Sequence, residues 1–135
     1  MNNYLDIVGI RLVKERTIIS QTKISSPQIA VNVLANELKW LDREMALVLN
    51  FDIKLKIINA HVISVGGMNS TNIDVKNIFK SALLSNASSL MLIHNHPSGD
   101  STPSKDDLTV TENIKKACKL MDIKFIDHII VGKDR

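Results

Sequence analysis

The most constraining feature of this 135-residue sequence is the run SLMLI at residues 89–93, which is almost wholly apolar and leads directly into His94. An unbroken apolar run of strand length, without polar alternation, is typical of a strand that is covered on both faces. The run therefore predicts a central strand of an α/β fold, in a mixed β-sheet with helices packed on it. It also places His94 at the end of that strand, where ligands of such sheets tend to bind.

The rest of the pattern predicts strands and helices in the order β-α-β-β-α-β-α-β. A capping box from Ser25 to Gln28 and Pro27 in the first turn predict the start of the first helix, and Asp74 and Ser104 open the other two. The predicted segments are DIVGIRLVKERTI (6–18), SSPQIAVNVLANELKWL (25–41), EMALVLNF (44–51), KIINAHVISV (56–65), DVKNIFKSALLSN (74–86), SLMLI (89–93), a helix from Ser104, and KFIDHIIVG (124–132).

Length and composition limit the class of protein. The chain fits one domain over residues 1–135, because no repeat or linker marks a boundary. No run approaches the roughly 18 apolar residues of a membrane helix, and the start lacks a signal-peptide pattern, so we expect a cytoplasmic protein without membrane contact. Cys118 cannot form an internal disulfide and is predicted to be a buried, inert thiol. The net charge of +3 is spread along a chain with few aromatic residues, which gives little support for nucleic-acid binding.

The stretch HNHPSGDSTPSKDD, residues 94–107, contains a candidate metal site. Side chains two apart in an extended segment point the same way, so His94 and His96 can offer two imidazoles to one ion. The turn-forming residues that follow can bring Asp107 back to the pair, and two histidines, one carboxylate and a water would make the open arrangement of a catalytic zinc. His-x-His also arises by chance, and Ser104 with Asp107 satisfies a capping box that needs no metal. The residues alone leave both interpretations open.

The spacing His94-x-His96-x(7)-Ser104-x-x-Asp107 matches the signature of the JAMM (MPN+) metalloproteases. The motif HNHPSGDSTPS, together with DHIIVG at residues 127–132, resembles the bacterial RadC branch of that superfamily. The resemblance covers residues 25–132. The resemblance implies an αβα sandwich related to the cytidine deaminases and a Zn²⁺ ion held by the two histidines and the aspartate. It also implies that Glu44, in DREMALVL, is the general base for an attacking water, and that Ser104 stabilises the oxyanion. The implied activity is amide or isopeptide hydrolysis of a peptide or protein that the sequence does not identify.

Several alternatives remain at this stage. The RadC resemblance also suggests a DNA-repair accessory or DNA-processing protein, although longer RadC proteins carry a helix-hairpin-helix region for which this chain has no room. An inactive MPN scaffold is a third possibility, but such domains usually lack the ligands found here. The Pro-Cys-x-x-Cys signature of cytidine deaminases is missing, and the literal triplet HNH does not indicate an HNH nuclease.

Other features are left open by the sequence. His61 is expected to be a solvated or hydrogen-bonded strand residue, and Asp127 or His128 could support the ligands without binding the ion. Relatives usually continue for a short segment beyond Arg135, and the sequence leaves open whether the native chain is truncated there or is a short member of the family. The oligomeric state cannot be predicted.

Overall fold

The computed structural model describes residues 3–65 and 74–132, in which three helices pack on a four-stranded sheet. The elements are α1 (Pro27–Leu38), β1 (Met45–Phe51), β2 (Ile57–Val65), α2 (Val75–Leu84), β3 (Ser89–Asn95), α3 (Lys105–Met121) and β4 (Lys124–Val131). The strand order is β2-β1-β3-β4; β1 is antiparallel to both β2 and β3, whereas β3 and β4 are parallel. The predicted α/β class with a mixed sheet is confirmed. The open question about the chain end at Arg135 lies outside the described residues.

The central strand β3 contributes to an apolar cluster on each face of the sheet. Leu90 and Leu92 pack on the face covered by α2 and α3, and Met91 and Ile93 pack on the face covered by α1. Every residue of β3 is buried. This double coverage explains why the sequence of the strand is almost entirely apolar, because neither set of alternating side chains meets water.

The strand predicted over residues 6–18 does not form, and this prediction was wrong. Described residues 3–17 are exposed, with Ile7 97% and Leu5 89% accessible, and the segment lies outside the four-stranded sheet. Strand propensity measures how well side chains fit a pleated, half-buried surface, so it has no effect where no neighbouring strand or helix provides that surface. The apolar residues up to Val13 are consequently left in contact with solvent, whereas Ile18 packs against the core.

The helix starts follow the predicted capping chemistry with one correction. The N-cap of α1 is Ser26, whose side chain accepts from the Ile29 N–H, so the box predicted from Ser25 was one residue too early. Pro27 explains the difference, because its fixed φ suits the first helical position and makes the residue before it the cap. Asp74 caps α2 and Ser104 caps α3 as predicted. Within the described part of the chain, no helix has the length and apolar character needed to cross a bilayer.

Candidate metal centre

The carboxyl end of β3 carries two histidines that point to the same side. His94 is the penultimate residue of β3 and is fully buried, and His96 follows two residues later. Because side chains alternate along extended chain, the residues at this spacing face the same way. Their Nε2 atoms lie 3.0 Å apart. The sequence-predicted pair of imidazoles is therefore brought together by the geometry of the strand.

The loop 97–103 returns the chain from this strand end to the start of α3. The His96 N–H donates to the Val131 carbonyl and the Gly99 N–H donates to the His96 carbonyl, each at 2.9 Å. Gly99 has a φ of 87°, a left-handed conformation that favours glycine. A Cβ at Gly132 would collide with the Gly99 carbonyl oxygen, which means that the turn lies directly against the end of β4. The tight turn places the first turn of α3 beside the two histidines.

Asp107 is positioned by the capping box that opens α3. The Ser104 side chain accepts from the Asp107 N–H at 3.0 Å, and the Ser104 N–H donates to Asp107 Oδ2 at 2.8 Å. With its backbone and one carboxylate oxygen held in this way, Asp107 directs Oδ1 to 3.2 Å from His94 Nε2 and Oδ2 to 3.1 Å from His96 Nε2. The capping box and the candidate metal cluster, which the sequence left as alternatives, are compatible because they share Asp107.

Glu44 reaches the site from a different part of the chain. Because β1 is antiparallel to β3, the amino end of β1 lies beside the carboxyl end of β3, and Glu44 immediately precedes β1. The buried Asn95 side chain accepts from the Met45 N–H at 2.7 Å and donates to the Arg43 carbonyl at 2.9 Å. The residue between the two histidines thus holds the backbone on both sides of Glu44.

The four side chains form a cluster that has the composition of a metal site. One ligand atom from each of Glu44, His94, His96 and Asp107 lies within 4.8 Å of all the others. His96 Nδ1 lies 2.8 Å from the Asp100 carbonyl, which can only accept, so the neutral ring directs the lone pair of Nε2 into the cluster. Asp107 Oδ1 is buried there and has no hydrogen-bond partner in the described part of the chain. A bound cation would satisfy these converging acceptors, and the mixture of imidazole and carboxylate suits zinc.

The environment shifts the titration of the cluster toward the forms that bind metal. Burial, reinforced by neighbouring His128, lowers the pKa of His94 to about 4. Burial alone would raise the pKa of Asp107, but the Ser104 N–H and the nearby His94 outweigh it and bring this pKa below its usual value. At neutral pH, His94 is therefore neutral and Asp107 ionised, which are the states required of ligands.

The residues that the sequence left open have different positions. His128 lies next to the cluster, where its Nε2 is 2.8 Å from His94 Nδ1, while Asp127 is exposed and accepts from the His128 N–H. His61 lies on β2, outside the cluster, and its buried Nδ1 finds no hydrogen-bond partner among the described residues. Sequence reasoning missed Thr111, which hydrogen-bonds to His128. Its position four residues after Asp107, on the same face of the helix, could have indicated that it lies near the site.

Comparison with known proteins identifies the family. Residues 24–135 match the RadC-like JAB domain. A UPF0758 protein of Clostridium perfringens is 39% identical over 117 residues, which cover 87% of this chain and 52% of the relative. A UPF0758 protein of Thermosynechococcus vestitus is 43% identical over 112 residues, covering 83% of this chain and 45% of the relative. The chain therefore spans about half the length of these relatives. With the family match, the sheet topology and the Glu-His-His-Asp cluster in agreement, the chain belongs to the RadC-like JAB domain family.

Proposed function

We propose that this protein is a zinc-dependent hydrolase of the JAMM type, which cleaves an amide or isopeptide bond in a peptide or protein. The observation that carries the proposal is the convergence of Glu44, His94, His96 and Asp107 at the carboxyl end of β3. Asp107 Oδ1 supports it, because this buried oxygen has no hydrogen-bond partner among the described residues, and such an oxygen costs stability unless a cation is bound nearby. When bound, zinc would lower the pKa of a water molecule to about 7 and polarise a carbonyl group.

The distances and burial suggest two separate roles within the cluster. His94, His96 and Asp107 would hold the ion, since contacts among their ligand atoms are 3.0–3.2 Å and catalytic zinc sites typically use three protein ligands. Glu44 Oε1 is further away, at 3.8 Å and 3.7 Å from the two Nε2 atoms, and its side chain is 23% exposed. This outer position fits a general base that accepts a proton from the attacking water and passes it to the leaving amine.

Ser104 is assigned to the developing oxyanion. Its Oγ accepts from the Asp107 N–H, so the hydroxyl hydrogen can still be donated to a substrate oxygen. One such donor typically lowers an activation barrier by about 2.7–4 kcal/mol. In Ser104→Ala the helix cap is lost as well, so the stability of this variant has to be measured beside its activity.

The proposal is tested by measuring zinc content and hydrolysis on the same preparations. Elemental analysis should find close to one zinc per chain in the wild type and a sharp loss in Asp107→Ala. Glu44→Gln should retain zinc but lose the hydrolysis of fluorogenic peptides and isopeptide-linked dipeptides that the zinc-loaded wild type cleaves. Glu37→Gln changes an exposed carboxylate on α1 and is the matched control. Failure of the wild type to take up zinc, or full activity of Glu44→Gln, would contradict the proposal.

A role in DNA repair is the second candidate, and it draws support only from the RadC resemblance and the net charge of +3. Contacts to DNA phosphates make affinity fall steeply as salt rises. Fluorescence anisotropy with short duplexes and single strands, measured at 50 mM and 200 mM salt, tests this role. No binding at the lower salt concentration would eliminate it.

A further inference from the structure

A chain of three hydrogen bonds begins at the nitrogen of His94 that faces away from the cluster. His94 Nδ1 lies 2.8 Å from His128 Nε2, and His128 Nδ1 lies 2.6 Å from Thr111 Oγ1. The Thr111 hydroxyl donates to the Asp107 carbonyl at 2.9 Å. This series of hydrogen bonds therefore starts at one proposed ligand residue, His94, passes through His128 on β4 and Thr111 on α3, and ends on the backbone of another, Asp107.

The direction of each bond in this chain follows from its last member. A carbonyl oxygen can only accept, so both Thr111 contacts are hydrogen bonds only when its single hydroxyl hydrogen is donated to Asp107. Thr111 Oγ1 must then accept from His128 Nδ1–H. In a neutral His128 ring this leaves Nε2 as an acceptor, and the partner atom His94 Nδ1 must carry a hydrogen. The proton-free nitrogen of His94 is consequently Nε2, the atom that faces the metal cluster.

We propose that His128 and Thr111 are positioning residues that hold His94 in its Nδ1–H tautomer, so that the Nε2 lone pair is presented to the ion. The proposal rests on the proposed zinc site and adds to it two residues that do not touch the ion. It also explains why Thr111 lies one helical turn after Asp107, since that spacing lets a single hydroxyl contact both the Asp107 carbonyl and the His128 ring.

The bond directions hold for a neutral His128 ring, which is the form of a histidine near pH 8, well above its ordinary pKa of about 6.5. A charged His128 would donate from both nitrogens and would force the proton of His94 onto Nε2, where it would block metal binding.

His94 needs this support more than His96 does. The Nδ1 of His96 faces the Asp100 carbonyl, which fixes one tautomer because a carbonyl never donates. The partner of His94 is another imidazole, which can exchange its donor and acceptor nitrogens. Without Thr111, His128 could donate from Nε2 and reverse the chain. Thr111 is therefore the residue that determines the direction.

The test uses two pairs of variants and one matched control. Thr111→Val removes the hydroxyl and nearly preserves the volume, while Thr111→Ser keeps the hydroxyl. His128→Phe removes the acceptor, while His128→Gln keeps a side-chain oxygen that can accept from His94. Thr109→Val is the control, because Thr109 makes the same kind of bond to a backbone carbonyl one turn earlier, on the exposed face of α3. Thermal unfolding of each variant establishes that it is folded.

Two measurements give the result. In metal-free protein near pH 8, long-range ¹H–¹⁵N NMR should show His94 protonated on Nδ1 in the wild type, Thr111→Ser and Thr109→Val, and mixed tautomers in Thr111→Val and His128→Phe. Competition with a chelator should show zinc affinity about 10–100-fold weaker in those last two variants. Thr111→Ser and His128→Gln should restore most of the affinity.

The outcomes separate this proposal from the zinc hydrolase proposal. An Nδ1–H tautomer that depends on Thr111 in a protein without hydrolase activity would support the positioning role and contradict the proposed function. A wild-type His94 protonated on Nε2 would overturn the positioning role even in an active zinc enzyme. Folded Thr111→Val and His128→Phe variants with wild-type tautomer and zinc affinity would overturn it as well.

Discussion

Replacing Asp107 by asparagine should separate the structural role of this residue from its role as a ligand. The carboxamide is isosteric, and its oxygen can still accept from the Ser104 N–H in place of Oδ2. The amide nitrogen then takes the place of Oδ1, which is buried without a hydrogen-bond partner and lies 3.2 Å from His94 Nε2. The substitution thus adds a donor to a cluster of acceptors.

We expect metal-free Asp107→Asn to be more stable than the metal-free wild type. Satisfying a buried, unpaired polar atom contributes about 1–3 kcal/mol. Loss of a negative charge in the first turn of α3 costs about 0.3–1 kcal/mol. Mid-range values of the two contributions leave a net gain of about 1.4 kcal/mol, which for an unfolding entropy of roughly 2.1 cal/mol/K per residue over 135 residues corresponds to a Tm about 5 °C higher.

Zinc should reverse this order. Wild-type protein at a free zinc concentration 100 times its Kd gains about 2.7 kcal/mol, whereas the variant, having lost a ligand, gains little. Differential scanning calorimetry in EDTA and in zinc measures both states. The control is Asp106→Asn, which removes a charge from the same helical turn outside the cluster and should only lose stability. A variant that is less stable than the wild type in EDTA, or that binds zinc equally well, would refute the reasoning.

Three further predictions follow from the site and its surroundings. Asn95→Ala leaves two backbone groups beside Glu44 unpaired and should lower the free energy of unfolding by about 1–3 kcal/mol in urea denaturation, with hydrolysis reduced more than zinc affinity. The pKa values of His94 and His128 are lowered from 6.5 to about 4, so below pH 6.5 the unfolded state of the metal-free protein binds more protons than the folded state. The free energy of unfolding should therefore fall as the pH is lowered from 6.5 to 4, by up to about 1.4 kcal/mol per pH unit for each histidine. A flat pH profile in urea denaturation would contradict this. Cys118 is buried with a pKa raised to about 11, so iodoacetamide at pH 8 should label it only in the unfolded protein, and rapid labelling of native protein would show that the thiol is accessible.

The parts of the fold that sequence patterns predict well are those determined by neighbouring residues. The apolar run before His94 predicts a doubly covered strand, and Ser104 with Asp107 predicts the start of α3; both are confirmed. The spacing of His94 and His96 likewise needs only the alternation of a strand to place both rings on one side. Each of these inferences relates residues that are at most about four positions apart in one helix or strand, and over that distance the backbone geometry fixes their relative positions.

The failed strand at residues 6–18 shows where local patterns are insufficient. The segment has the composition of a strand, yet residues 6–17 are exposed and pair with no strand of the sheet, and only Ile18 at its end packs against the core. Pairing is a property of two segments, and the sequence of one segment cannot reveal whether an edge of the sheet is available to it. The neighbouring strands β1 and β2, by contrast, pair with each other, because the short link between them keeps the two partners close.

The remainder of the candidate site depends on contacts between distant parts of the chain. Glu44 was identified only through the family resemblance, because it reaches His94 through the antiparallel pairing of β1 with β3, across 50 positions. His128 reaches the same ring from 34 positions away, through the parallel pairing of β4. A histidine ligand needs a lone pair on one nitrogen and therefore a defined partner at the other, and here that partner is defined by a hydroxyl on α3. Three elements must be in register before the Nε2 lone pair of His94 faces the cluster, so the tautomer is a property of the tertiary fold and has no counterpart in a short motif.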